Sequence, residues 1–280
     1  MVEVVGTAPT SVMVITKFVY RRSWKTNFII IYKLLVFKIL IYFYLKMTDE
    51  TIQISIIIPV FNEDQSVLKV LNRIYETVEN KTCFEVIVIN DGSTDNTLKL
   101  LENNRGLYNH LITYETNHGK GNAVKKGLEV SKGEYIFFQD ADLEYDPIEL
   151  NKFIKLINRF NPDLIIGSRL NYSEYTRSHN ILNKFGNKLI TLIFNLFYNT
   201  TFTDIYSCYA CYKKNLLNEK ELVTMGFEQH AEILSKVVKK GKKFYEVPIS
   251  YNGRTHEEGK KIKFHHIFAV MFRIIIERFK

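Results

Sequence analysis

Residues 134–147 read EYIFFQDADLEYDP. Glu134 to Gln139 opens as a strand of aromatic and β-branched residues, runs off its end into Asp140, Ala141 and Asp142, and stops at Pro147, which suits the first turn of a helix. In an open α/β sheet, ligands bind in the crevice outside the carboxyl ends of the strands. Two aspartates one residue apart at such an end therefore read as a site. Carboxylate oxygens suit a hard divalent cation, and Mg²⁺ or Mn²⁺ held by one or two of them completes its shell with water and ligand phosphate oxygens. The competing reading is an acidic strand-to-helix turn, with Asp146 capping the helix that Pro147 begins. A D-x-D alone does not decide between them; the flanking chain does.

Upstream, Ile52–Ile58 (IQISIII) is a nearly continuous apolar run closed by Pro59, as expected of a strand buried on both faces of a parallel sheet. Asn62, Glu63 and Asp64 follow at once. An amphipathic helix comes next, with Val67, Leu68, Leu71, Ile74 and Tyr75 at helical spacing. Phe84–Ile89 repeats the buried-strand pattern, Asn90–Asp95 (NDGSTD) forms its turn, and Thr94 or Asp95 can cap the next helix. His110–Tyr114 is a shorter strand. The following NHGKGNAVKKGLEVSKG sets Lys120 between glycines at a helix start, where a phosphate contact and a solvated lysine are equally good readings. Its order is not that of a P-loop. Asp163–Ser168 is another strand, ending at Arg169. Strands alternating with helices from 52 to 169 predict a doubly wound, mostly parallel sheet with helices on both faces and acid after the first, second and fourth strands. No G-x-G-x-x-G follows the first strand, so the dinucleotide fingerprint is absent. A nucleotide still suits the crevice, with acid for the ribose and metal for a diphosphate.

Beyond 170 the pattern changes. Residues 171–179 are polar and loop-like, 181–197 form a helix with a wide apolar stripe, and GFEQHAEILSKVVKKGKK is a further helix whose Ile233, Leu234, Val237 and Val238 face inward. FYEVPISY is a strand, and the NGRTHEEGKKIK that follows is a glycine-bounded loop carrying Arg254, Lys260 and Lys261. The last helix, FHHIFAVMFRIIIERF, suits either a lipid interface or packing on the domain.

Length and 46% hydrophobic content suit one large domain or two small ones. The net charge of +8 sits in the flanks: residues 1–46 carry +6, residues 254–280 carry +4, and residues 47–253 carry −2. That distribution points to an anionic membrane surface met by the ends of the chain, and no nucleic-acid partner. The three cysteines form a single C-x-x-C, Cys208 and Cys211, within an alternating YSCYACY that reads as small core-facing residues rather than a metal knuckle. A reducing cytosol is the default compartment. Residues 28–45 (FIIIYKLLVFKILIYFYL) are apolar except for Lys33 and Lys38. Each lysine near the centre of a span costs roughly 2.5–3.5 kcal/mol on insertion scales, so this is a marginal transmembrane candidate. A packed helix and translated sequence upstream of a start at Met47 are the other readings.

The blocks PVFNE, VINDGSTD, GKGNAVKKG, QDADLEYDP, IIGSR, GFE and EVPISYNGRTHEEGKK, in that order, resemble the family 2 glycosyltransferases of polyprenyl-phosphate type, similar to dolichol-phosphate mannosyltransferases. The resemblance covers about Ile54 to Ile262. It implies a GT-A-like fold over residues 47–263, preceded by an extension over 1–46 and followed by an amphipathic helix over 264–280. It further implies a metal-dependent inverting hexosyltransferase at the cytoplasmic face of a membrane, with a nucleotide-sugar donor of the GDP-mannose or UDP-glucose type and a lipid phosphate acceptor. By position, Pro59, Phe61, Glu63, Ile89 and Asp91 would surround base and ribose, Asp140, Ala141 and Asp142 would line the sugar nucleotide, and Asp142 and Glu144 would hold Mg²⁺ or Mn²⁺. Arg169, Arg254 and Lys260 would face the phosphates. Two departures stand out: Glu144 replaces a frequent Gln, and TDIYSCYACYKK lacks the Ser-Gly-Phe-Arg run that usually follows the aspartate at the place of Asp204. A relative with a saccharide hydroxyl acceptor is the alternative, and would need a carboxylate base near Asp204. A non-catalytic binding subunit is a further alternative, disfavoured by the intact Asp140/Asp142 pair.

Overall fold

β1 (Ile54–Val60) and β2 (Phe84–Asp91) are buried along almost their whole length, and they pair in parallel from Ile54↔Phe84 to Val60↔Asn90. In the computed structural model the residues described are 32–38, 53–78, 83–171, 181–253 and 266–280. The chain divides into two units, Met1–Glu50 and Thr51–Lys280. Of the first, residues 32–38 are helical, with Tyr32, Leu34, Leu35 and Phe37 exposed. The rest of the 28–45 stretch lies outside the described residues. Among the described residues no helix is long and apolar enough to cross a membrane.

The second unit is organised on a seven-stranded sheet. With β3 (His110–Tyr114), β4 (Tyr135–Phe138), β5 (Leu164–Ser168), β6 (Ala210–Lys213) and β7 (Phe244–Pro248), the order is β3-β2-β1-β4-β6-β5-β7. All pairs are parallel except those made by β6, which runs antiparallel to both β4 and β5. β6 was not foreseen as a strand. Its four residues, ACYK, are too few to show a period, and its apolar residues face cores on both sides of the sheet: Cys211 on one, Ala210 and Tyr212 on the other.

Those two cores are what make the sheet doubly wound. On one face α1 (Val67–Thr77) and α4 (Leu150–Phe160) cover Ile56, Ile58, Val86, Val88 and Phe137. α2 (Thr97–Asn103) adds Leu101 to that side. On the other, α3 (Lys120–Val130), α5 (Ile181–Tyr198), α6 (Gln229–Lys240) and α7 (His266–Phe279) cover Ile57, Ile87, Ile89, Ile136 and Phe138. The alternation of strand side chains between faces produces this split. Gly127 marks where α3 presses closest, since a Cβ there would stand 2.6 Å from Ile57 Cγ2.

Two local expectations shift. Tyr75 is largely exposed, because α1 turns Val67, Val70, Leu71 and Ile74 into the core instead. The helix after the D-x-D begins with a 3₁₀ turn at Pro147–Glu149, and Asp146 Oδ1 accepts the Ile148 N–H at 3.0 Å. Asp146 is therefore the cap that the competing reading required, while Asp140 and Asp142 point elsewhere.

Candidate active site

A cavity of about 470 Å³ opens at the carboxyl ends of β1, β2 and β4. Pro59, Phe61, Glu63, Asp91, Asp140, Ala141, Asp142, Glu144 and Arg169 all line it. Ile89 does not: its side chain is fully buried in the core beneath Gly127. Arg254 and Lys260 lie outside the described residues.

One wall is made by the turns after β1 and β2, which are stitched to each other. Asn62, at φ 53°, donates its N–H to Ser93 Oγ at 3.0 Å, and its side-chain oxygen accepts the Thr94 N–H at 2.8 Å. The Glu63 N–H donates to Thr97 Oγ1 at 2.9 Å. Asp91 is buried, and its two oxygens accept the backbone N–H groups of His118 at 3.0 Å and Gly119 at 2.8 Å. Gly92, at φ 70°, is where the turn crosses the chain at Thr116, since an added Cβ would meet that backbone at 2.4 Å. The Asp91 carboxylate is thus held by backbone donors from the next loop, and the Glu63 carboxylate by the Ser66 hydroxyl of its own turn, at 2.8 Å.

The residue at the centre is one that the sequence leaves undecided. Lys120 donates from Nζ to Asp140 Oδ1 at 2.5 Å and lies 3.6 Å from Cys208 Sγ. Burial works against both charges. The Lys120 ammonium nevertheless holds the Asp140 carboxyl below its usual range, and Asp140 in turn raises Lys120 above the ordinary lysine value. The glycines on either side of Lys120 were the available signal. They bring the backbone against Met225, with the Gly121 N–H donating to the Met225 carbonyl at 2.8 Å. Cys208 packs at the edge of the core and also lines the cavity, and burial, then Asp140, pushes its thiol up to about 12. Cys211 is the core residue that alternation predicted.

The far wall is aromatic and cationic. Arg169 forks onto Asp204, with Nε to Oδ2 at 2.7 Å and Nη2 to Oδ1 at 2.8 Å. It also donates to the Tyr145 hydroxyl at 3.2 Å and the Tyr206 carbonyl at 3.1 Å, and sits over the Tyr251 ring at 5.1 Å. Asp204 is fully buried and also accepts the Arg169 N–H at 3.0 Å. Leu143, at φ 59°, turns the chain so that Asp142 Oδ1 accepts the Glu144 N–H at 3.1 Å. The Tyr251 hydroxyl donates to Glu144 Oε2 at 2.7 Å, and the Asn252 N–H to the Glu144 carbonyl at 2.9 Å.

Among the described residues no three His, Cys, Asp or Glu side chains form a metal cage. A hard cation held by one or two carboxylates and by diphosphate oxygens needs none. Asp142 and Glu144, half-buried at the cavity wall and two residues apart on one turn, fit that donor set.

Glycosyl transferase family 2 matches residues 55–219, more than half of the chain, and the chain belongs to that family. It is 30% identical over 204 residues to protein MJ0544 of Methanocaldococcus jannaschii, covering 69% of this chain and 86% of that one. It is 26% identical over 205 residues to the low-salt glycan biosynthesis hexosyltransferase Agl6 of Haloferax volcanii, covering 73% of this chain and 49% of that one. Over 129 residues it is 30% identical to the dodecaprenyl-phosphate galacturonate synthase of Rhizobium johnstonii, covering 45% and 38%. Among solved structures, glucosyl-3-phosphoglycerate synthase of Mycobacterium tuberculosis with Mn²⁺, UDP and phosphoglyceric acid superposes with a TM-score of 0.59 at 17% identity, over 80% of this chain and 76% of that one. TarS of S. aureus with UDP-GlcNAc gives 0.56 at 19% identity, over 80% and 66%. At such identities the structures speak for the GT-A fold alone.

Proposed function

We propose that this glycosyltransferase moves a hexose from a nucleotide sugar to a polyprenyl phosphate, with inversion and with Mg²⁺ or Mn²⁺. The observation that carries the acceptor is the buried Arg169–Asp204 fork. A hydroxyl acceptor needs a carboxylate base, and both oxygens of Asp204 are already taken by a guanidinium. A lipid phosphate is anionic at neutral pH and needs no base. Its oxygen attacks the anomeric carbon, the bond from that carbon to the nucleoside diphosphate breaks, and the leaving group departs as the anion, with no proton moved.

Asp142 and Glu144 would hold the divalent ion, which supplies positive charge to the departing diphosphate. Lys120 and Arg169 bring two further cations to the cavity. Pro59, Phe61, Glu63 and Asp91 are suited to base and ribose, and Arg254 and Lys260 are assigned to the phosphates on sequence alone. The named activity of the Rhizobium relative, a polyprenyl-phosphate sugar synthase, supports the acceptor class.

A lipid acceptor implies work at a membrane surface. α5 and α7 lie side by side, with Phe197 and Phe279 rings 6.1 Å apart and the Tyr198 hydroxyl donating to the Ile274 carbonyl at 3.1 Å. They expose Phe185, Leu192 and Leu196 from one helix and Phe268, Phe272 and Phe279 from the other. With the basic flanks, that face suits the cytoplasmic side of an anionic bilayer.

The test is a transfer assay with UDP- and GDP-sugars, Mg²⁺ or Mn²⁺, and either polyprenyl phosphate or a neutral saccharide. Transfer to the lipid phosphate, with Arg254→Ala lowering it more than it lowers donor hydrolysis, is the expected result. Transfer to the saccharide alone overturns the reading.

A further inference from the structure

The turn that carries Lys120 leans on a segment with neither helix nor strand of its own, residues 222–226. The Met225 backbone fills the space beside both glycines: an added Cβ would stand 2.9 Å from the Met225 oxygen at Gly119 and 2.5 Å from its carbonyl carbon at Gly121. The Gly121 N–H donates to that oxygen at 2.8 Å. Where this segment lies therefore sets where the Lys120 backbone lies, and with it the reach of the ammonium that meets Asp140.

Side chains hold the segment, and a single carboxylate gathers its donors. α6 opens at the cavity, with Gln229 and His230 among the lining residues, and a turn further on it carries Glu232, fully buried. Glu232 accepts the Val223 N–H at 3.1 Å, the Thr224 N–H at 3.0 Å and the Thr224 hydroxyl at 2.5 Å. Gln229 donates its amide to the Thr224 carbonyl at 2.6 Å, and Lys125 of α3 its ammonium to the Leu222 carbonyl at 3.1 Å. Burial works to raise the Glu232 carboxyl; the bonds from Thr224 and Val223, with Arg273, outweigh it and hold the group below its usual range. Arg273, on α7, stands 2.7 Å from Glu232 Oε1. Bonds to an ionised acceptor are roughly twice as strong as neutral ones, which suits a segment that has no ladder to hold it.

We infer that Glu232 is a positioning residue for Lys120: it fixes the 223–225 backbone on which the Lys120 turn rests, and Arg273 of the last helix braces it. The inference rests on the nucleotide-sugar reading above, in which Lys120 is a cation for the donor diphosphate. It goes beyond that reading in naming the support on which the cation depends. Neither Glu232 nor Arg273 is among the residues that line the cavity, so their influence travels through the segment.

The test is a double-mutant cycle on binding, run on the full chain at saturating Mn²⁺ with UDP or GDP and with the matching nucleoside, uridine or guanosine. The ratio of the two affinities isolates the cations that meet the phosphates, and an unchanged nucleoside affinity reports that a variant is folded. Lys120→Met should lower the ratio about 10-fold or more, the size of a charge-assisted hydrogen bond. Glu232→Gln keeps the shape but turns amide hydrogens toward donors, and should lower the ratio about 3- to 10-fold. Thr224→Val, which removes a single hydroxyl, and Arg273→Met should each lower it about 2- to 3-fold. In the Lys120→Met background all three should change it by less than about 1.5-fold, because effects that pass through one side chain do not add. Should Glu232→Gln lose nucleoside binding as well, Thr224→Val carries the cycle. Equal losses in both backgrounds, or a ratio that these variants leave unmoved with Lys120 present, overturn the inference. A ratio unmoved by Lys120→Met itself overturns it too and leaves the donor reading standing. Failure of the unaltered protein to bind either diphosphate overturns both.

Discussion

The two long walls of the cavity are built on different physical principles. The wall formed by the turns after β1 and β2 is held by backbone N–H groups and short side chains: Asn62 to Ser93 and Thr94, and Asp91 to His118 and Gly119. The opposite wall hangs on one buried ion pair, Arg169–Asp204, packed against stacked tyrosines, with Tyr145 and Tyr209 ring centres 4.7 Å apart. The first distributes its support over several separate hydrogen bonds. The second concentrates it in two charges, so a single substitution should strip it.

The largest effect expected follows from that contrast. Asp204→Ala leaves the Arg169 guanidinium buried without its counter-ion, and removing one partner of a buried pair costs about 3–5 kcal/mol. Chemical denaturation should register a loss of that size. The double variant Arg169→Met, Asp204→Leu should recover most of it, because the desolvated charges go together. A loss below about 1 kcal/mol in Asp204→Ala would remove the distinction between the walls. By comparison Asn62→Ala, which removes the oxygen that accepts from the Thr94 N–H and hydroxyl and leaves Ala at a φ of 53°, should cost about 1–2 kcal/mol.

Next in size is a change in chemistry rather than in stability. Asp142 accepts the Glu144 N–H, a bond that Asn can also accept, so Asp142→Asn keeps the turn and loses the charge. If Asp142 carries the divalent ion, transfer should fall by at least 100-fold, the roughly 3 kcal/mol seen when leaving-group stabilisation is removed, with melting unchanged. Near-normal turnover in a folded Asp142→Asn protein would take the metal away from this turn.

The contrast between the walls also marks how far the sequence could be read. The strand-end side of the cavity is local: each strand runs straight into its own acidic turn, so Glu63, Asp91, Asp140 and Asp142 are visible as motifs, and hydrophobic periodicity supplies the sheet beneath them. The far wall is assembled from residues distant in the chain, Tyr145, Arg169, Asp204, Tyr206 and Tyr251, and no period or spacing connects them. β6, whose preceding turn carries Tyr206 and Cys208, is four residues long and antiparallel in an otherwise parallel sheet. Lys120 was seen but undecided, because glycines flanking a lysine suit a phosphate loop and an exposed helix start alike. What the fold adds is the pairing of Lys120 with Asp140, twenty residues on, which no local pattern foretells. Gln229 and His230 sit at the start of an amphipathic helix whose inward apolar residues drew the reading.

The smallest effect expected lies where the walls join. The Tyr251 hydroxyl bonds Glu144 Oε2, its ring carries the Arg169 guanidinium, and its backbone bridges Tyr145. Tyr251 is thus the contact between the turn assigned to the metal and the wall assigned to the acceptor. Tyr251→Phe deletes the hydroxyl alone, keeping the ring under Arg169 and the backbone bridge. Burial, above all, keeps that phenol protonated across the working pH range, so the group lost is a neutral donor and the change needs no titration to interpret it. A bond of this kind is worth about 1–1.5 kcal/mol net. If Glu144 serves the metal, that energy now orients one of its carboxyl oxygens. The variant should then weaken Mn²⁺ binding in the presence of nucleoside diphosphate by about 3- to 10-fold, measured by titration of the ion, with transfer restored at saturating Mn²⁺. Asp142→Asn, by contrast, should not be restored. A Tyr251→Phe protein that loses transfer as completely as Asp142→Asn, and irrecoverably, would mean that the hydroxyl acts on the reacting groups themselves. An unchanged Mn²⁺ affinity would detach Glu144 from the ion and leave Asp142 to hold it with the diphosphate.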